Sequence, residues 1–175
     1  KEPIVPYLSD PEKCDKCGAC VEVCPQGAVS IDEEGLKVNS ILCFSCGLCV
    51  PACPKHALDL YNYTNQQLRT QIKGILHGDP EKKKILAFFD SHLAYTTLDL
   101  VGLNRIDYPP SVRIIRLPST GRLIFEDVLY AFAHGAHGVA ILESHSAGPL
   151  GEAHNKAAER YKEWRDKLED HSIAS

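Results

Sequence analysis

The 175-residue chain has no methionine, a single tryptophan and no cysteine beyond position 53. Lacking Met even at its first position, it reads as the interior of a longer polypeptide or as a processed one. No apolar run reaches the length a bilayer span needs, and the opening KEPIVPYLSD has neither the apolar core nor the cleavage pattern of a secretory signal. With reduced thiols, that implies a cytoplasmic setting in which a disulfide framework would not persist. Composition is otherwise that of an ordinary globular protein, 44% hydrophobic and 24% charged.

A basic surface is also missing. The net charge of −4 belongs entirely to residues 1–62, where nine acids face five lysines, while the rest of the chain is neutral. An acidic half that also gathers thiolates repels phosphate, so nucleic acid is excluded as a partner and a basic protein surface fits better.

All eight cysteines lie in two stretches, CDKCGACVEVCP (14–25) and CFSCGLCVPACP (43–54). Each is a C-x2-C-x2-C-x3-C-P run. Three thiolates so closely spaced strain the vertices of one tetrahedral ion but wrap three corners of a cubane, and the fourth is carried onward to the other cluster. This assigns Cys14, Cys17, Cys20 and Cys53 to one [4Fe-4S] cluster, and Cys43, Cys46, Cys49 and Cys24 to a second. Structural zinc prefers paired knuckles, and disulfides an oxidising compartment, so both are disfavoured. Gly18 matches Gly47, Val21 matches Val50 and Ala28 matches Ala57, which marks a duplication with approximate two-fold symmetry. His56 stands where the first copy has Gly27. An imidazole there could tune a potential or pass a proton, but an exposed turn residue is the simpler reading.

The expected fold is an α+β two-[4Fe-4S] ferredoxin-like domain over residues 1–62, a connecting helix and hinge over 63–84, and a small α/β domain with a three-strand parallel sheet over 85–175. AVSID (28–32), GLKVN (35–39) and ALDLY (57–61) read as short strands, and the ACVEVC and LCVPAC segments as one-turn helices. So small a unit buries little apolar surface, and loss of iron should unfold it. Leu68, Ile72, Ile75 and Leu76 form a helical stripe behind a Thr64 or Asn65 cap, ended by Gly78-Asp79-Pro80. EKKK (81–84) reads as a solvated hinge. ILAFFD (85–90), VRIIRL (112–117) and GVAILES (138–144) are continuous apolar runs suited to parallel strands covered on both faces, separated by helical patterns at 93–103, 122–135 and 152–170.

The α/β half shows no signature of chemistry. DSHLAYTT, after the first strand, lacks the glycines a dinucleotide needs. PSTGR (118–122) caps a helix by default, although its hydroxyls and amides could hold an anion. His134 and His137 sit near a helix C-terminus, and with His92, His145 and His154 they are too scattered to form a site. Tyr161, Trp164 and Leu168 make a stripe expected in the core.

ILAFFDSHLAYTTLDLVGLNRIDYPPSVRIIRLPSTGR, with the later HGAHGVAILESHSAG, resembles the delta subunit of methyl-viologen-reducing hydrogenases, the iron-sulfur link between hydrogenase and heterodisulfide reductase. YPP (108–110), VRIIR (112–116) and TGR (120–122) carry the likeness. That family has cysteines for a [2Fe-2S] cluster on its strand-end loops. The corresponding places here are Phe89, Asp90, Leu93, Ser119, Leu142, Ser144 and Pro149, none a thiol, so no [2Fe-2S] cluster is expected. The double cysteine run followed by YNYTNQQLRTQI resembles the C-terminal part of the flavin-bearing A subunit of heterodisulfide reductases. An A-type portion fused to a delta-like domain is also similar to the B subunit of quinone-interacting membrane-bound oxidoreductases.

These resemblances imply an electron-transfer subunit or fragment with no substrate-converting site of its own and no catalytic residue. FAD would reside on a partner or an upstream portion. The implied partners are flavin-containing and iron-sulfur subunits of a larger redox complex, with a membrane subunit reached only by association. The cysteine-free domain would serve as a docking platform. Two other readings are a self-contained reductase whose α/β domain holds a small substrate, and a free dicluster ferredoxin with a structural appendage.

Overall fold

The computed structural model describes residues 3–144 and 148–171. Its first part is built from β1 (Pro6–Leu8), α1 (Ala19–Glu22), β2 (Val29–Asp32), β3 (Gly35–Val38), α2 (Cys49–Ala52) and β4 (Leu58–Leu60). Strands β2 and β3 form an antiparallel hairpin from Val29↔Val38 to Asp32↔Gly35. Asp32 Oδ1 closes its turn by accepting the amides of Glu34 and Gly35 at 2.9 and 3.0 Å, a side-chain mimic of a backbone turn. Strand β4 pairs antiparallel with β1, Pro6↔Leu60 to Leu8↔Leu58. Periodicity predicts no strand at β1, because three residues led by proline carry no alternation. Cysteines stand in place of aliphatic residues in this core: Cys20, Cys49 and Cys53 are buried with Val29, Ala57 and Leu58.

Helix α3 (Asn65–Leu76) opens on a capping box: Gln67 N donates to Thr64 Oγ1 at 3.1 Å, and Thr64 N donates to Gln67 Oε1 at 2.8 Å. Its apolar stripe lies on the sheet, with Leu68, Ile72 and Leu76 packed among Leu86, Phe88, Ile115, Leu117 and Val128. The EKKK segment behaves as a solvated run only at Glu81, Lys82 and Lys83. Lys84 is buried, and its ammonium donates to the carbonyls of Leu76 (2.8 Å) and Gly78 (3.3 Å). A cation there satisfies carbonyls orphaned at the helix end and complements the dipole.

The α/β part holds β5 (Ile85–Asp90), α4 (Ala94–Leu103), β6 (Val112–Leu117), a 3-10 turn (Thr120–Arg122), α5 (Phe125–Ala133), β7 (Gly138–Leu142) and α6 (Pro149–Asp170). The three strands are parallel in the order β6-β5-β7. Only the central β5 is buried along most of its length, from Leu86 to Asp90, whereas β7, an edge strand, is half-exposed. Helix α5 starts at Phe125, not in the 122–135 run as a whole, because the 3-10 turn occupies Thr120–Arg122 and Ile124 N, just before the helix, donates to Asp127 Oδ2 at 3.3 Å. Helix α6 begins three residues before the expected position 152, on Pro149, the residue type suited to a first helical turn. Trp164 and Leu168 are buried in the sheet core, as the stripe predicted.

Candidate metal centre

The duplication is written into the backbone. Lys16 and Ser45 both have φ 57°, Gly18 and Gly47 have φ 83° and 70°, and Gly27 and His56 have φ 57° and 51°. Each matched pair turns the chain in the left-handed region, winding the loop inward so that successive cysteines face one volume. His56 is exposed in its turn, its amide donating to Cys53 O just as Gly27 N donates to Cys24 O.

Two cavities result. One is lined by Cys14, Cys17, Cys20 and Cys53, with Asp15 and Leu58. The other is lined by Cys24, Cys43, Cys46 and Cys49, with Gln26 and Phe44. Each therefore takes three cysteines from one run and the fourth from the other, carried across by α1 and α2. Among the described residues no three Cys, His, Asp or Glu groups close on one metal-ion position; the thiols surround a volume instead. Burial pushes the Cys20, Cys43, Cys46 and Cys49 thiols up, and the neighbouring cysteines push in the same direction. Such a donor set holds thiolates only around a bound cation, and four sulfurs about each cavity suit a multi-iron cubane. Ala57 N also donates to Cys53 Sγ at 3.3 Å.

The two cavities meet different surroundings. Cys17, Asp15 and Lys16 are exposed at the first. At the second, the loop shows Ile41 at 90% and Phe44 at 47% exposure on one side and packs against the α/β domain on the other. Leu48 is buried against Ala153 and Ala157 of α6, and Val50 and Leu60 against Ile124. A Cβ added at Gly47 would lie 2.4 Å from Arg122 Cβ, and one at Gly121 would lie 2.7 Å from Cys46 O. Two glycines thus let the PSTGR turn seat on the second cysteine loop. This segment, read from sequence as a helix cap, is an interdomain joint. Ser119 Oγ does accept Gly121 N at 3.1 Å, but Arg122 is completely buried, bonded through Nη2 to Asn65 Oδ1 and 3.8 Å from Asp59. The glycine on either side of the contact was the signal available in the sequence.

The carboxyl ends of the strands are closed by the protein's own hydrogen bonds. Asp90 accepts the amide and hydroxyl of Ser144 at 2.7 Å, and His154 Nδ1 donates to Ser144 O at 2.7 Å. Thr120 donates to Glu143, and Tyr161 donates to Thr120 O at 2.6 Å. Of the places matched to family cysteines, Asp90 and Ser144 are in this network, Ser119 and Phe89 are buried, and Leu93 and Leu142 are exposed; the Pro149 side chain lies outside the described residues. The scattered histidines have local roles: His134 stacks on Tyr130 at 3.9 Å, His137 Nδ1 accepts Lys84 N at 3.3 Å, and His92 is exposed. His145 lies outside the described residues. No described helix is long and apolar enough to cross a membrane.

Comparison with known proteins matches two separate stretches of the chain. Residues 85–175 match the family described as methyl-viologen-reducing hydrogenase, delta subunit, and residues 13–57 match a 4Fe-4S dicluster domain. The chain is 39% identical over 132 residues to the A subunit of a ferredoxin:CoB-CoM heterodisulfide reductase of Methanosarcina mazei, covering 75% of this chain and 17% of that protein. It is 32% identical over 160 residues to the corresponding A subunit of Methanosarcina acetivorans, covering 90% and 19%. Over 90 residues it is 36% identical to the iron-sulfur D subunit of the F420-non-reducing hydrogenase vhu of Methanocaldococcus jannaschii, covering 51% and 67%. The chain thus spans less than a fifth of the A subunits it matches.

Proposed function

This chain belongs to the methyl-viologen-reducing hydrogenase delta-subunit family, and from that premise we propose that it relays single electrons through two [4Fe-4S] clusters inside a heterodisulfide reductase-like or quinone-interacting oxidoreductase complex. It is an iron-sulfur electron-transfer protein related to heterodisulfide reductase A subunits and hydrogenase delta subunits, with a 4Fe-4S dicluster domain of eight cysteines. The observation that carries the reading is the pair of cavities, each lined by four cysteines drawn crosswise from both runs. Cys14, Cys17, Cys20 and Cys53 would hold the first cluster, and Cys43, Cys46, Cys49 and Cys24 the second. When bound, each cluster supplies a reversible one-electron couple.

The chain's own residues do the rest. Thiolates and the amide donor on Cys53 set the electrostatic environment, α1 and α2 hold the two ligand sets side by side, and Leu48 and Leu58 give the second and first cavities an apolar wall. One electron enters from a flavin or iron-sulfur donor on another polypeptide and one leaves to the next acceptor; no bond is made or broken in this chain. The α/β domain serves as the platform that joins the relay to neighbouring subunits. Its shared core with the second cysteine loop supports this, since a docked platform would hold that loop at a fixed place in the assembly.

Iron analysis and electron paramagnetic resonance on anaerobically prepared protein test the reading. Eight irons per chain and two interacting paramagnets after reduction are expected. Four irons or fewer, or an uncoupled signal, would remove it.

A further inference from the structure

Gln26 presents a problem that the relay alone does not answer. Its side-chain nitrogen is buried and, among the described residues, has no hydrogen-bond partner. A buried amide donor left unpaired costs about 1–3 kcal/mol, and each such group calls for an explanation. Gln26 follows Cys24-Pro25 and lines the cavity formed by Cys24, Cys43, Cys46 and Cys49. The polar acceptors that a loaded cavity offers are sulfurs, from the cysteine thiolates or from the cluster.

The duplication supplies an internal comparison. Twenty-nine positions on, the equivalent of Gln26 is Lys55, which is exposed and does not line the first cavity. The first cavity instead includes Asp15, a carboxylate whose counterpart at the second is Phe44. One site thus has a neutral buried donor where its twin has a solvated cation.

We propose that the Gln26 side-chain amide donates a hydrogen bond to a sulfur of the second cluster and raises the potential of that cluster alone. Hydrogen bonds to sulfur stabilise the reduced, more negative cluster and raise its potential. Gln26 is therefore a positioning and tuning residue of the electron relay, not a ligand. The inference rests on the two-cluster reading above.

The test is a Gln26→Leu variant of the full chain, titrated potentiometrically under anaerobic conditions. Paramagnetic NMR of the cysteine β-protons would distinguish Cys24, Cys43, Cys46 and Cys49 from the other four. The reduced-to-oxidised ratio of the second cluster at fixed solution potential should fall about tenfold, about 59 mV for one electron, with the first cluster unmoved and eight irons retained. Gln26→Glu, which replaces the donor with a carboxylate, should lower it further. Unchanged potentials in a fully loaded Gln26→Leu protein, or equal shifts in both clusters, would overturn the inference while leaving the relay intact. A wild-type chain with four irons or fewer would instead overturn the relay. Should Gln26→Leu lose iron, the Gln26→Met titration decides, since Met also lacks the donor and adds no charge: a drop confined to the second cluster supports the inference, and no drop refutes it.

Discussion

The Ser144 hydroxyl donates to the Asp90 carboxylate at 2.7 Å while accepting the amides of Leu93 and Ala94 at 3.0 and 3.3 Å. One side chain thereby ties the end of β7 to the end of β5 and to the first turn of α4. Ser144→Ala removes a bond to a buried carboxylate and should destabilise the α/β domain by about 1.5–3 kcal/mol, measured by urea unfolding, with iron content unchanged.

That bond also sets an acid limit. Burial raises the Asp90 pKa, but hydrogen bonds from Ser144, His92 and Leu93 outweigh it and hold the carboxyl below the usual carboxylate value. A depressed folded pKa contributes stability that is present above the unfolded value of about 3.9 and lost as pH falls through the folded one. Below about pH 4 the unfolding free energy should drop more steeply in the native protein than in Asp90→Asn. Equal slopes would show that Asp90 does not titrate with folding.

Gly18 and Gly47 occupy matched positions with positive φ, yet a Cβ at Gly18 meets no protein atom within 4 Å and one at Gly47 runs into Arg122. Gly18→Ala should cost only the conformational penalty, about 1–2 kcal/mol. Gly47→Ala should cost clearly more and displace the α/β domain. Comparing the loss of hydrogen-exchange protection at Val29 and Leu58 in the two variants separates conformational cost from collision.

Trp164, the chain's single tryptophan, lies in the sheet core with Leu86, Phe88 and Leu168. The first part has cysteines in its own core. Stripping iron with a chelator should abolish the hairpin and β1–β4 pairing while the Trp164 emission stays native. Hydrogen exchange would show protection lost at Val29, Ile31 and Leu58 and retained at Leu86 and Phe88. Concerted loss of both would mean that the second core cannot stand without the first.

Lys84 places its ammonium on the carbonyls of Leu76 and Gly78. Lys84→Met keeps the buried stem and leaves the carbonyls bare, so it should lower stability by about 1–3 kcal/mol. Lys82→Met and Lys83→Met, on exposed neighbours, should shift the midpoint within about 0.5 kcal/mol.

What was legible in the sequence is what is local. Cysteine spacing reports ligation because three of the four thiols at each cavity lie within seven residues of one another. The three strands of the sheet were legible because continuous apolar runs of that length have few other uses. The Arg122–Gly47 contact was not, since it joins positions 75 apart and long-range contacts impose no period. Lys84 looked like its exposed neighbours because burial is decided by the helix end it meets. Gln26 is illegible for a related reason: a lone amide in a turn has no pattern without the cavity beside it.

A repeat that folds by itself leaves its copies interchangeable, and either could vary without the other. Here only the second loop has a neighbour pressed against its glycine. Matched substitutions in the two loops will therefore be tolerated unequally.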